Sequence, residues 1–260
     1  MILDSIMGLA GLFLAGVVAG AINSVAGGGT LVSFPALVAF GVPSVMANAT
    51  NTAAVCPGAL SSAVAYRHDL PKRHGLLLSL LLPSLIGGLL GAWILAITPD
   101  QLFSRIVPFL VLFATLLFAL RDRFRRSSRD LNHDEEHVST MGRFWGFCFQ
   151  FFVAAYGGYF GAGIGILMLA SLGVMGLRDI HRMNAVKTSL GFLINGTALV
   201  YFIYMKLVVW RLALLMAAGA VLGGYAGARL AKRIDQGRLQ LFIVGIGIFV
   251  SAWLFYKGFN

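Results

Sequence analysis

Two polar pentapeptides, Asn48-Ala49-Thr50-Asn51-Thr52 and Asn184-Ala185-Val186-Lys187-Thr188, stand 136 residues apart in otherwise apolar sequence. Positions i, i+3 and i+4 share one face of a helix. Asn48, Asn51 and Thr52, and in the second copy Asn184, Lys187 and Thr188, can therefore present donors to one ligand. Lys187 replaces Asn51 and adds a positive charge, so the chemistry suits a small anion. Asn195, at i+8 from Lys187, continues that face. Three roles stay open for Lys187: ligand contact, snorkelling to water, or structural pairing. Asn48 is equally suited to cap a helix start.

A glycine cluster precedes each pentapeptide. Gly27-Gly28-Gly29 is flanked by Asn23, Ser24, Thr30 and Ser33; Gly161 and Gly163 follow Tyr156 and Tyr159. Glycines at a helix start leave N–H groups open to an anion. They also let two helices approach closely, and both uses remain open. Candidate substrate-binding residues are therefore Asn23, Gly27, Gly28, Gly29, Thr30, Asn48, Asn51, Thr52, Tyr159, Gly161, Gly163, Asn184, Lys187, Thr188 and Asn195.

The elements that must carry these residues follow from composition. Of 260 residues, 58% are hydrophobic and 12% charged, against about 25% charged in soluble domains, and mean hydropathy is +0.85. No Asp, Glu, Lys or Arg occurs between Ser5 and Tyr66, between Phe144 and Leu177, or between Leu239 and Tyr256. A spanning helix needs about 20 apolar residues. The chain therefore reads as an all-α polytopic membrane protein. Its first apolar run follows Asp4 in place of a basic region and is expected to remain as a membrane helix.

Ten apolar segments are expected, near 6–24, 28–40, 44–66, 75–97, 102–120, 144–158, 161–176, 183–205, 209–229 and 239–256. The second, sixth and seventh are short and adjoin glycine clusters, which suggests broken or re-entrant helices and about eight full spans. Pro35 and Pro57 predict local departures from ideal helix geometry. Sixteen of the twenty Lys/Arg fall in the connections around 67–73, 121–143, 178–187 and 229–238. The positive-inside rule puts those connections, and the central linker, in the cytoplasm and both termini outside. Five segments per half then make residues 1–120 and 144–260 two inverted-topology repeats joined by a polar linker, 121–143, a common transporter arrangement.

The net charge of +10 reads as topology, since no basic and aromatic residues interleave into a nucleic-acid platform. Cys56 and Cys148 have no partner at metal-ligand spacing. No nucleotide-binding or hydrolase motif occurs, so no cofactor and no enzymatic activity are expected. The acidic residues lie in connections or near segment ends, which favours a neutral or anionic cargo over a cation.

The glycine clusters, the Asn/Thr-rich starts and their second copies resemble the sulfite exporter TauE/SafE family of bacterial membrane permeases. The likeness is densest over Gly20–Arg67, with Asn23-Ser24-Val25-Ala26-Gly27-Gly28-Gly29-Thr30 and Pro35, and over Tyr156–Asn195. The second copy has Leu167 to Leu169 where a proline matching Pro35 would stand. The resemblance implies a permease of the bacterial inner membrane for sulfite, sulfonates or other small organic or sulfur-containing anions. Alternating access is the expected mechanism, with H+ or Na+ as coupling ion. An anion channel and a non-transporting membrane scaffold are the alternatives, and the sequence leaves the oligomeric state open.

Overall fold

The structure, a computed structural model, describes residues 6–25, 27–70, 75–127, 140–175, 177, 179–230 and 236–259. Among these are ten α-helices and no strand: α1 (Ile6–Val25), α2 (Thr30–Ala39), α3 (Ser44–Ala65), α4 (Gly75–Ile97), α5 (Asp100–Ser127), α6 (Thr140–Tyr159), α7 (Ile164–Val174), α8 (Ile180–Tyr204), α9 (Trp210–Leu230) and α10 (Gln236–Phe259). The expected basic residues Lys72, Arg73, Arg178, Lys232 and Arg233, and positions 128–139 of the linker, lie outside the described residues.

Length separates the helices into two kinds. α2 and α7 have 10 and 11 residues, or about 15 Å at 1.5 Å per residue, half of a hydrocarbon core about 30 Å thick. The other eight have at least 20 residues. Stretches within α1, α4, α5, α8 and α9 are also apolar enough to cross a membrane. α6 corrects the expectation of a short sixth segment, because the helix starts in the polar turn Thr140–Arg143, which a hydropathy reading passes over. α5 likewise runs to Ser127, past the expected boundary at residue 120. Pro57 sits inside α3 without ending it.

Packing links the halves crosswise. α1 lies along α9 and α6 along α4; α3 lies on α9 and α8 on α4; α5 meets α10, and α3 meets α8. Advancing each label by five, cyclically, returns the same set of pairs. Gly16 of α1 packs on Met216 and Gly20 on Ala220 and Gly224, so α1 and α9 run the same way. Gly87 packs on Phe151 and Gly91 on Ala155 and Tyr159, so α4 and α6 do too. α5 and α10 run oppositely. Gln240 Nε2 donates to Phe118 O at 2.8 Å, Gly247 faces Thr115, and Ser251 Oγ donates to Pro108 O at 3.1 Å. Corresponding helices that meet antiparallel require a two-fold axis across them, so the repeats are inverted.

Small residues set these distances. A Cβ at Gly16 or Gly223 would strike the backbone of Met216 or Val17, the close approach by which membrane helices gain packing contact. Outside, Phe152, Leu241 and Phe249 are 68%, 75% and 73% exposed. Inside, Ser33, Asn48, Asn51, Asn184, Lys187 and Thr188 are buried. Water would penalise this polarity pattern, whereas hydrocarbon favours it.

Candidate functional site

The glycine clusters break two helices at matching places. After α1, Gly27 takes φ +83° and its N–H bonds Ile22 O at 3.0 Å. After α6, Gly161 takes φ +81° and bonds Tyr156 O at 3.2 Å. A left-handed residue closing such a bond ends a helix, and glycine adopts it without a Cβ penalty. The chain then restarts as α2 and α7. Gly27 and Gly165 lie back to back, and a Cβ on either would overlap the other's Cα. The two breaks therefore touch inside the protein.

Helix-start amides are less open than the glycines suggested. Leu31 N and Val32 N bond the Gly28 and Gly29 carbonyls, and Ile166 N bonds Gly163 O, each at 3.0 Å. These short-range bonds tighten the first turns and use N–H groups expected to face a ligand. Gly28 packs on Phe118, Gly29 on Ala19 and Gly163 on Ala114, so these three serve close packing.

The lysine turns inward. Lys187 is 3% exposed, and its Nζ donates to Ser24 O at 3.0 Å and Asn184 Oδ1 at 2.9 Å. Snorkelling is thereby excluded in this conformation. The Ser24 carbonyl lies in the last turn of α1, where helix carbonyls lack intrahelical donors. Thr188 Oγ1 bonds Asn184 O at 2.8 Å, turned onto its own helix.

The first copy forms a neutral network. Asn48 Nδ2 donates to Tyr159 O at 2.9 Å. Ser33 Oγ donates to Asn51 Oδ1, and Asn51 Nδ2 to Thr30 Oγ1 at 3.4 Å. Thr52 Oγ1 bonds Asn48 O at 3.0 Å. Asn48 is not an N-cap, because α3 begins at Ser44, four residues earlier. Phe34, Phe103, Phe160 and Tyr159 cover this network edge to face, with centroids 5.5–6.4 Å apart.

A small, partly open cavity joins the two breaks. Asn23, Gly27, Thr30, Gly161, Lys187, Thr188 and Asn195 line it, while Asn48, Asn51, Thr52, Tyr159 and Asn184 stand behind or beyond it. Val55, Ala59, Ser62, Ile164, Gly165, Met168 and Gly191 also line it and were not anticipated. Ser62, Gly165 and Gly191 had a signal in their polarity or glycine content; the apolar ones had none. Ser62 and Ala59 come from the end of α3, and Lys187 and Thr188 from the start of α8. The cavity therefore lies toward the connections that begin at Arg67 and end at Asp179. Asp179 also escaped notice: it caps α8, accepting from His181 N at 2.7 Å and Arg182 N at 3.2 Å. Desolvation opposes its ionisation, but those amide bonds and the neighbouring positive charges prevail and hold its carboxyl below its ordinary value of 3.8.

The family model described as Sulfite exporter TauE/SafE matches residues 12–254. The chain is 26% identical over 249 residues to a Haemophilus influenzae protein named "Probable membrane transporter protein", covering 95% of this chain and 94% of that one. It is 28% identical to "Probable membrane transporter protein ORF9" of a Sinorhizobium species, over 92% of this chain and 90% of the relative. It is also 28% identical to "Probable membrane transporter protein YfcA" of Escherichia coli, over 94% and 88%. No solved structure matches the chain.

Proposed function

The chain belongs to the sulfite exporter TauE/SafE family, a multi-pass membrane transporter, and from that premise we propose that its cargo is a small anion of the sulfite, sulfonate or small organic acid class. The observation that carries this reading is the cavity between the helix breaks with the Lys187 ammonium in its wall. A cation held in a low-dielectric surround attracts an anion strongly. Asn23, Thr30, Thr188 and Asn195 add hydrogen-bonding groups that orient the cargo. A channel or a scaffold would leave unexplained the filling of one side by aromatic rings while the cavity lies toward the other.

The mechanism that fits is alternating access. In this conformation the cavity lies toward the basic connections, which the positive-inside rule assigns to the cytoplasm; the termini are then outside. Rocking of the bundle built on α1, α3 and α9 against the one built on α4, α6 and α8 would part the Phe34, Phe103 and Phe160 rings and close Ser62 toward Lys187. Counterflow in proteoliposomes, with sulfite, sulfonates and small carboxylates at two pH values, tests the reading. Wild-type protein is expected to show saturable exchange of at least one of these, and Lys187→Met to lose at least tenfold at equal protein. Unsaturable flux would favour a channel, and unchanged kinetics in Lys187→Met would remove the lysine from the site.

A further inference from the structure

The internal symmetry exposes one group that the anion site does not use. Asn48 Oδ1 is buried and has no hydrogen-bond donor in the structure; the residue is 1% exposed. The assignment of its two amide atoms is fixed, because only the N–H can donate to the Tyr159 carbonyl at the end of α6, so the atom left without a partner beside that helix end is the oxygen. A buried amide oxygen without a donor forfeits the hydrogen bonds it made in water, so such an atom marks a partner to be supplied.

The second repeat shows which partner this geometry accepts. Asn184 is the counterpart of Asn48, and its Oδ1 receives a cation, the Lys187 ammonium, at 2.9 Å. That same ammonium is held by Ser24 O in the last turn of α1. Matching the glycine turns Gly27 and Gly161 makes Gly158, in the last turn of α6, the counterpart of Ser24. The equivalent position therefore keeps both kinds of acceptor, the Asn48 oxygen from the first repeat and the carbonyls at the broken end of α6 from the second. Asn51 stands where the tethered cation would be. Neutral oxygens of this kind, without a carboxylate, suit a monovalent cation, and broken-helix carbonyls hold Na+ in other transporters.

We propose that Asn48 Oδ1 and the end carbonyls of α6, Gly158 foremost, form a Na+ site, the first-repeat equivalent of the position that the Lys187 ammonium fills in the second. The site stands whether or not the cargo is an anion. If the anion reading holds, the site makes Na+ the coupling ion, and that last step alone rests on it.

Binding, not transport, tests the site. Purified full-length protein in choline chloride is expected to bind 22Na+ saturably, with K+ displacing it at least tenfold less well than Na+. In the wild type, replacing choline by Na+ should slow backbone hydrogen exchange within residues 44–52 and 156–162, and leave 180–191 unchanged. Asn48→Ala and Asn51→Lys, the latter supplying a tethered ammonium, should each lower 22Na+ binding at least tenfold. Absence of saturable binding, equal displacement by K+, protection elsewhere in the chain, or binding that survives in either folded variant would overturn the proposal. The wild-type measurements decide it even where a variant fails to fold.

Discussion

Asp179 illustrates how one side chain fixes the start of the helix that carries the lysine. Its carboxylate accepts two amide hydrogen bonds at the first turn of α8, and the helix dipole adds attraction. Removing such a cap typically costs about 1 kcal/mol, so Asp179→Ala should lower the melting temperature by a few degrees. The sign of the pH effect follows from the depressed carboxyl: the contribution is complete above the ordinary value of 3.8 and fades as pH falls below it. Thermal melts of wild type and Asp179→Ala should therefore differ by a constant amount at pH 5–7 and converge at lower pH. A difference that widened on acidification would contradict this account. Lys187, in the first part of the same helix, is buried and donates to Ser24 O and Asn184 Oδ1, so the cap at Asp179 holds the start of the element that sets its position.

At the level of elements, the helix breaks matter more than the helices. Gly27 and Gly161 share a left-handed turn, yet their surroundings differ. A Cβ at Gly27 would overlap the Gly165 backbone, whereas one at Gly161 meets only Gly157 O at 3.1 Å and Thr30 Oγ1 at 4.0 Å. Strain from positive φ, about 1–2 kcal/mol, applies to both, and backbone displacement is added only at Gly27. Gly27→Ala is therefore expected to lower the melting temperature well below that of Gly161→Ala, with Gly27→Ala separating the two repeats at their contact. Equal shifts would show that the contact between breaks is dispensable. The α1–α9 and α4–α6 pairs, seated backbone on backbone through glycines, should move as rigid units while the breaks adjust.

For the whole molecule, the crosswise pairing makes each bundle a mixture of both repeats, so rocking requires the α3–α8 and α5–α10 contacts on the symmetry axis to slide. Gly191 offers a probe of which side the cavity serves. It lines the cavity, and a Cβ there would meet nothing within 4 Å, so Gly191→Cys should fold. In a background lacking Cys56 and Cys148, both free thiols, a membrane-impermeant thiol reagent is expected to label Gly191→Cys from the side of the basic connections. Labelling from the opposite side should be at least tenfold slower. A saturating cargo anion should protect the thiol, and equal rates from both faces would contradict a closed aromatic side.

The sequence by itself determined that the chain lives in lipid and that its halves repeat, with Asn48 and Asn51 matched to Asn184 and Lys187. These follow from local chemistry: charge cannot be hidden in long apolar runs, and a motif repeated at a constant offset marks equivalent positions. Hydropathy could not register the polar first turn of α6 or the Asp179 cap, because both draw their stability from helix hydrogen bonding, not apolarity. Only the tertiary structure decided which polar groups face the cavity and which face each other. That choice depends on how far the two helix breaks interpenetrate, and Gly27 against Gly165 sets it through backbone contact between residues far apart in the chain. Gly165 also packs on the Lys187 side chain, whose ammonium reaches the α1 end.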